Sequence, residues 1–223
     1  MSDNAIANNN GAPVTFSTKE VAGVHTPVMA LDAATIAAIV EGIGGAEVIG
    51  KQLIGYWPAA AIKPRTTNPC ADLAWGETAT NKVNYGYLAF DAGANEYAHF
   101  SFRAPKSLDE TVGFTAVLTV AEAAGATTHN SAWTIQALAL STTDALDAAL
   151  STAVQVNITT ASGTQVLSAE SGTITPAGTW ATGDMIYVQI GRYATDATND
   201  TLNADAHLIG VTLYATYDAG VEP

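Results

Sequence analysis

Residues 184–193, DMIYVQIGRY, decide the fold. Ile186, Val188 and Ile190 fall on one face of an extended chain, with Met185, Tyr187, Gln189 and Gly191 on the other, because successive side chains of a strand point to opposite sides of its sheet. Residues 111–120, TVGFTAVLTV, repeat the pattern, with Val112, Phe114, Ala116, Leu118 and Val120 set against Thr111, Gly113, Thr115 and Thr119. Such strands keep one face for a core and leave the other wettable, as an antiparallel sandwich requires. On either side lie YGYLAF (85–90), YAHFSFRA (97–104), SAWTIQALALS (131–141), STAVQVNITTA (151–161) and AHLIGVTLYATY (206–217), alternating or rich in β-branched and aromatic residues and bounded by turn formers. Shorter stretches of the same kind are GTQVLSA (163–169) and SGTITPA (171–177). About eight strands at this spacing, with no strand–helix alternation, predict an all-β chain: an antiparallel β-sandwich of jelly-roll type. The Cys, Trp, Cys spacing of immunoglobulin domains is absent, since Cys70 is the only cysteine. Only TTDALDAAL (142–150) predicts a helical turn or two, with Thr143 or Asp144 as cap.

The front of the chain reads differently. Residues 1–13 are polar and carry Asn8, Asn9, Asn10 and Gly11, a composition that suits a terminus. TFSTKEVAGVHTPVMALD then alternates loosely through Val21, Val24, Val28 and Leu31, as an extended arm would. Ile36, Ile39, Val40 and Ile43 sit at helical spacings before Gly44 and Gly45, enough for at most a short helix. Residues 56–69, YWPAAAIKPRTTNP, hold three prolines, which exclude a continuous helix or a central strand. The expected organisation is an N-terminal docking arm over 1–55, an extended lead-in over 56–83 and the sandwich over 84–223.

Composition excludes several functions. The 223 residues include 21 acidic and 8 basic ones, a formal charge of −13, the wrong sign for a protein whose main task is to bind nucleic acid or an anionic membrane. No apolar run approaches the roughly 20 residues of a membrane helix, and the opening MSDNAIANNNGAP lacks the basic and apolar regions of a secretory signal. One cysteine permits no intrachain disulfide, and no Cys/His cluster suggests zinc.

Motifs of chemistry are missing as well. His25, His99, His129 and His207 are isolated, and GxSxG, SxxK, GxGxxG and the P-loop do not occur. No enzyme, cofactor or metal is expected. The loop RYATDATNDTLNADAH (192–207) is acidic enough to suggest calcium, but it lacks the spacing, central glycine and terminal glutamate of a calcium loop. Asp and Asn forming turns with their own backbone explain it. Tyr85, Tyr87, Phe90, Tyr97, Phe100 and Phe102 make an aromatic-rich pair of strands, and an exposed row of them would stack on sugar rings.

IGYWPAAAIKPRTTNPC, YLAFDAGANEYAHFSFRAPKSLD and TGDMIYVQIGRYATDATNDTLNADAHLIGVTLYATY together resemble virion structural proteins of tailed bacteriophages, in which a jelly roll ends in a set order of features. The matching positions are Gly183 and Asp184, an alternating strand, Arg192, the Asp196 to Asp205 loop and the final strand Leu208 to Tyr214. STKEVAGVHTPVMALD is similar to the amino-terminal phrase of phage head and tail accessory proteins. The resemblance implies a capsid decoration (cement) protein, commonly a homotrimer, made in the host cytoplasm and carried on the virion. Its arm would bridge subunits of the major capsid protein. Val21, Val24, Val28 and Leu31 would be the apolar contacts and Lys19, Lys51, Lys63 and Arg65 the charged ones. The alternative is a head- or tail-fibre module that recognises a host surface glycan through the aromatic strands.

Overall fold

Ile186, Val188 and Ile190 are fully buried, and so are Phe114, Ala116, Leu118 and Val120, so both strands turn the expected face inward; Val112, assigned to the same face, lies before the strand begins and is exposed. The computed structural model describes residues 6–7, 13–14, 17–21, 24–28, 49–122, 128–161 and 164–217. The chain divides into two compact units, Met1–Glu47 and Val48–Pro223.

In the first unit β1 (Ile6–Ala7) pairs with β2 (Pro13–Val14), and β3 (Ser17–Val21) with β4 (Val24–Val28), both antiparallel. Lys19 stands opposite Thr26, and Val21 opposite Val24. Leu31 and the stretch from Ile36 to Ile43 lie outside the described residues.

The second unit is an all-β sandwich whose strand ladders are all antiparallel. Its strands are β5 (Ile49–Pro58), β6 (Lys63–Pro64), β7 (Ala74–Glu77), β8 (Asn84–Phe90), β9 (Glu96–Arg103), β10 (Phe114–Glu122), β11 (His129–Leu140), β12 (Val154–Thr160), β13 (Val166–Leu167), β14 (Met185–Arg192) and β15 (Ala206–Tyr217). The larger sheet runs β13-β10-β15-β8-β7 with β5 also on β15, and the smaller one runs β12-β11-β14-β9-β6. Among the described residues no helix is long and apolar enough to cross a membrane.

Three sequence expectations are redrawn. Strand β5 crosses the boundary placed at residue 55 and pairs with β15 from Pro58 opposite Gly210 to Ile49 opposite Tyr217. Pro58 ends a strand that has no partner on its other side in the sheet, where a missing N–H costs no ladder bond. Residues 56–83 likewise contribute β6 and β7 to the two sheets. Residues 142–150 form no helix: Thr143 has φ 81°, and the Asp144 carboxylate accepts the Ser141 N–H at 2.8 Å, which folds the segment into a turn.

The core lies between the sheets. Trp57 stacks on Phe100 with ring centroids 5.0 Å apart, Phe90 meets the buried Trp133 edge-on at 4.9 Å, and Phe114 packs near both Phe102 and Trp180. Each fully buried large apolar side chain contributes about 1.5–3 kcal/mol relative to its exposure in water.

One charged group sits among them. Arg192 is fully buried, and its five N–H donors find five acceptors: both oxygens of Asp200 at 2.9 and 2.8 Å, and the carbonyls of Phe90, Ala204 and Leu202. Asp200 also accepts the Ala132 N–H at 3.1 Å. The loop after β14 is thereby tied to both sheets. Before β14, Gly183 at φ 86° makes the turn, and Asp184 closes it by accepting the Ala181 N–H.

Candidate ligand-binding cleft

The alternation that buries Ile186, Val188 and Ile190 puts Tyr187 and Gln189 on the outer face of the smaller sheet, and register then fixes what stands beside them. Gln189 lies between His99 of β9 and Gln136 of β11; Lys63 of β6 pairs with His99 on the far side. Arg65, just past β6, anchors its backbone N–H on the Tyr97 carbonyl at 3.0 Å. Residues from four separate segments thus meet on one face.

Their hydrogen bonds run in one direction. The Ser151 carbonyl can only accept, so the Gln136 amide nitrogen donates to it at 2.7 Å. Gln136 Oε1 is then turned toward Gln189, whose amide nitrogen donates at 2.8 Å. Gln189 Oε1 accepts from Arg65 at 2.9 Å and contacts His99 Nε2 at 2.9 Å. Because that oxygen is an acceptor only, His99 presents an Nε2–H to it. Gln189 is only 3% exposed, so this row is a fixed floor.

Arg65 is held three ways: by Gln189, by its Nε donating to the Thr67 carbonyl at 2.7 Å, and by its guanidinium carbon lying 4.1 Å from the centre of the Tyr97 ring. Tyr97 in turn lies across Gly191, where a Cβ would come within 2.5 Å of the ring. The residue opposite Tyr97 must therefore be glycine for the Tyr97–Arg65 stack to form.

Above the floor is a cleft of about 280 Å³ lined by Arg65, His99, Gln189, Tyr187, Leu138 and Leu146 among others. Leu146 stands at the tip of the 142–150 loop with 79% of its surface exposed. The cleft thus combines apolar walls with a few converging polar groups, the usual composition of a small-molecule site.

The expected site residues disperse. Lys51 is bonded to Glu170 at 2.6 Å, and this bond, followed by that from Thr115, holds the Glu170 carboxyl below its ordinary pKa. Lys63 and Arg65 belong to the cleft face, while Lys19, Val21, Val24 and Val28 lie on the β3–β4 hairpin. The aromatic pair also divides. Strands β8 and β9 belong to different sheets; Phe90 and Phe100 are in the core, Phe102 packs against it, and Tyr85 and Tyr87 sit on the larger sheet. Tyr97 alone of the six reaches the cleft face.

The acidic loop is built as turns. Asp196 accepts from the Asn199 side chain at 2.7 Å and from Gln155 at 3.0 Å, which holds its carboxyl below the usual range, and Asp200 is taken by Arg192. Among the described residues no group of three His, Cys, Asp or Glu could hold a metal ion. Burial, and secondarily the charge of Glu96, pushes the Cys70 thiol up to about 12, which removes it as a nucleophile at neutral pH.

No protein-family model and no curated protein matches the chain. Among solved structures it is similar to the CBM22-1–GH10 modules of endo-1,4-beta-D-xylanase 10B from Clostridium thermocellum, complexed with xylohexaose, at TM-score 0.42 and 14% identity over 73% of this chain and 28% of that one. This chain thus spans little more than a quarter of that xylanase structure. It is also similar to the CBM22-1 xylan-binding domain of Paenibacillus barcinonensis Xyn10C, at TM-score 0.41 and 10% identity over 77% and 98% of the two chains. A third is the family 11 carbohydrate-binding module of Clostridium thermocellum in complex with a mixed-linked tetrasaccharide, at 0.34 and 7% over 74% and 95%. Likeness of this degree concerns strand layout and assigns no role to any residue.

Proposed function

We propose that the Val48–Pro223 unit is a non-enzymatic binding module that holds a carbohydrate on the outer face of its smaller sheet. The buried amide of Gln189 at the centre of a fixed polar row carries this reading. A sugar presents hydroxyls on its edge and C–H groups on its faces. The row supplies donors and acceptors for the former, and Leu138, Leu146 and Tyr187 supply apolar surface for the latter. The glycan alternative drawn from the sequence is kept, but its place moves from the aromatic strands to this cleft.

Glycan-array binding by the full chain tests it. Gln189→Leu abolishes the signal, and Tyr56→Ala, on the larger sheet, leaves it unchanged. Loss with Tyr56→Ala or Tyr87→Ala and retention with Gln189→Leu would refute the assignment.

A second reading draws support from the division of the chain at Glu47: the Met1–Glu47 unit docks on the major capsid protein of a phage as part of a homotrimer, and the sandwich projects outward. Removal of residues 1–30 then abolishes co-sedimentation with capsids and leaves the melting temperature of the sandwich in place. Retained co-sedimentation refutes it.

A further inference from the structure

The cleft face carries an electrostatic feature that a neutral sugar does not need. Of the 8 basic residues in a chain of net charge −13, three lie on this one face of neighbouring segments. Lys63 is paired with His99, Arg103 with Met185, and Arg65 stands between Gln189 and Tyr97. Among the described residues the ion pairs use Lys51, Lys82, His129 and Arg192, and none uses Lys63, Arg65 or Arg103. The five strands of the smaller sheet contain a single carboxylate, Glu96, whose register partner Arg192 points into the core. Of the loop carboxylates, Asp196 reaches this face at β12 and is taken by Gln155 and Asn199, while Asp144 and Asp147 of the loop above the cleft face solvent, Asp144 turned back onto the Ser141 N–H.

Arg65 is the sharpest of the three. Its guanidinium is held entirely by neutral groups: a carbonyl, an amide oxygen and an aromatic face. Its Nε and one NH1 hydrogen are engaged, and no described group takes the hydrogens of its NH2 nitrogen. A planar guanidinium locked in this way presents a preoriented fork of donors that fits a carboxylate, and it loses little side-chain entropy when it binds one. Lys63 and Arg103 add longer-range attraction along the strand direction.

Resting on the assignment of the cleft as the binding site, we infer that its ligand is an acidic polysaccharide, whose uronate carboxylate is taken by Arg65 while the sugar ring lies against Tyr187 and Leu138. The missing counter-ion of Arg65 is supplied by the ligand. The composition argument against anionic partners applies to the chain as a whole and is reversed locally on this face.

The test is isothermal titration of the full chain with polygalacturonate, alginate and hyaluronan oligosaccharides, with a neutral xylan or glucan oligosaccharide and dextran sulfate as comparisons. Saturable binding to at least one polyuronate, weakened roughly tenfold or more by Arg65→Gln and weakened by added salt, supports the inference. So does selectivity over the neutral oligosaccharide of matched length. Binding of the neutral oligosaccharide alone, unaffected by Arg65→Gln and abolished by Gln189→Leu, overturns the acidic ligand and leaves the cleft standing. Binding of dextran sulfate as tightly as of any polyuronate, equally weakened by Lys63→Gln and Arg65→Gln, overturns carboxylate recognition. Binding to none of the panel overturns the inference, and failure on the full glycan array overturns the cleft as well. A melting temperature of Arg65→Gln close to that of the unsubstituted protein separates lost recognition from lost folding.

Discussion

Two loops border the smaller sheet, and the chain treats them in opposite ways. Residues 193–205 are tied down by the buried Arg192 and Asp200 and by the backbone of Asn130, which accepts the N–H groups of both Thr201 and Leu202. Residues 142–149 are exposed throughout, anchored only at their ends by Ser141, Asp144 and Ser151, with a leucine at the tip. Hollows of about 600 and 280 Å³ border this second loop, one of them the candidate cleft. The contrast separates rigidity that sets strand register from a wall that is free to meet a ligand. A loop stapled on charge and carbonyls contributes to folding. A loop with an apolar tip in water contributes little to folding and has surface to offer.

The largest expected effect breaks the stapled side. Arg192→Met leaves Asp200 buried without its counter-ion and three carbonyls without their donor, and costs about 3–5 kcal/mol, read from urea denaturation. A loss under about 1 kcal/mol would mean that the loop holds without its staple. Next is the polar row under the cleft: Gln189→Leu strips the acceptor from Arg65 and His99 and costs about 1–3 kcal/mol, together with all ligand binding.

The chain itself anticipated the first loop better than the second. Arg192 and the Asp/Asn run to Asp205 stood out in the sequence as one continuous phrase, and two of its three carboxylates, Asp196 and Asp200, make turn or staple bonds. The alternation in 114–120 and 185–192 identified the inward faces correctly because period two survives wherever one side of a sheet is dry, and it failed at Val112, which precedes the strand. Strand β5 was hidden because Gly50, Gly55 and Pro58 look like punctuation; its place on β15 comes from long-range pairing and from Trp57 entering the Phe100 and Phe102 cluster. TTDALDAAL failed as a helix because it buries nothing: with every residue from 142 to 149 exposed, no packing offsets the cost of a short helix. The cleft left little linear trace: Lys63 and Arg65 stood out in the sequence for a different partner, while His99, Gln136 and Gln189 are far apart in the chain, and only sheet register joins these three and Arg65 in one hydrogen-bonded row.

A smaller effect probes the far end of the stapled loop. His207 stacks on Tyr87 with centroids 3.8 Å apart, and burial lowers its pKa below 6.5, an effect that Asp205 only partly opposes. The neutral ring is the form favoured by folding. Its contribution is complete above the unfolded pKa and declines as pH falls below about 6.5. The melting temperature should therefore decline over that window, and His207→Gln should flatten the decline; an unchanged slope would place the pH response elsewhere. Smallest of all, Leu146→Ser at the free loop's tip should alter stability by no more than about 0.5 kcal/mol and weaken ligand retention. A marked loss of stability would show that this loop is structural after all.

NMR titration of the isotope-labelled full chain with the tightest-binding oligosaccharide locates the site residue by residue. Shifts confined to the side-chain amides of Gln136 and Gln189, the Arg65 Nε–H and the backbone of residues 142–150 are predicted, with Tyr56, Tyr85 and Tyr87 on the larger sheet unmoved. Shifts centred on those tyrosines, with the Gln189 amide unchanged at saturation, would contradict the placement of the binding site.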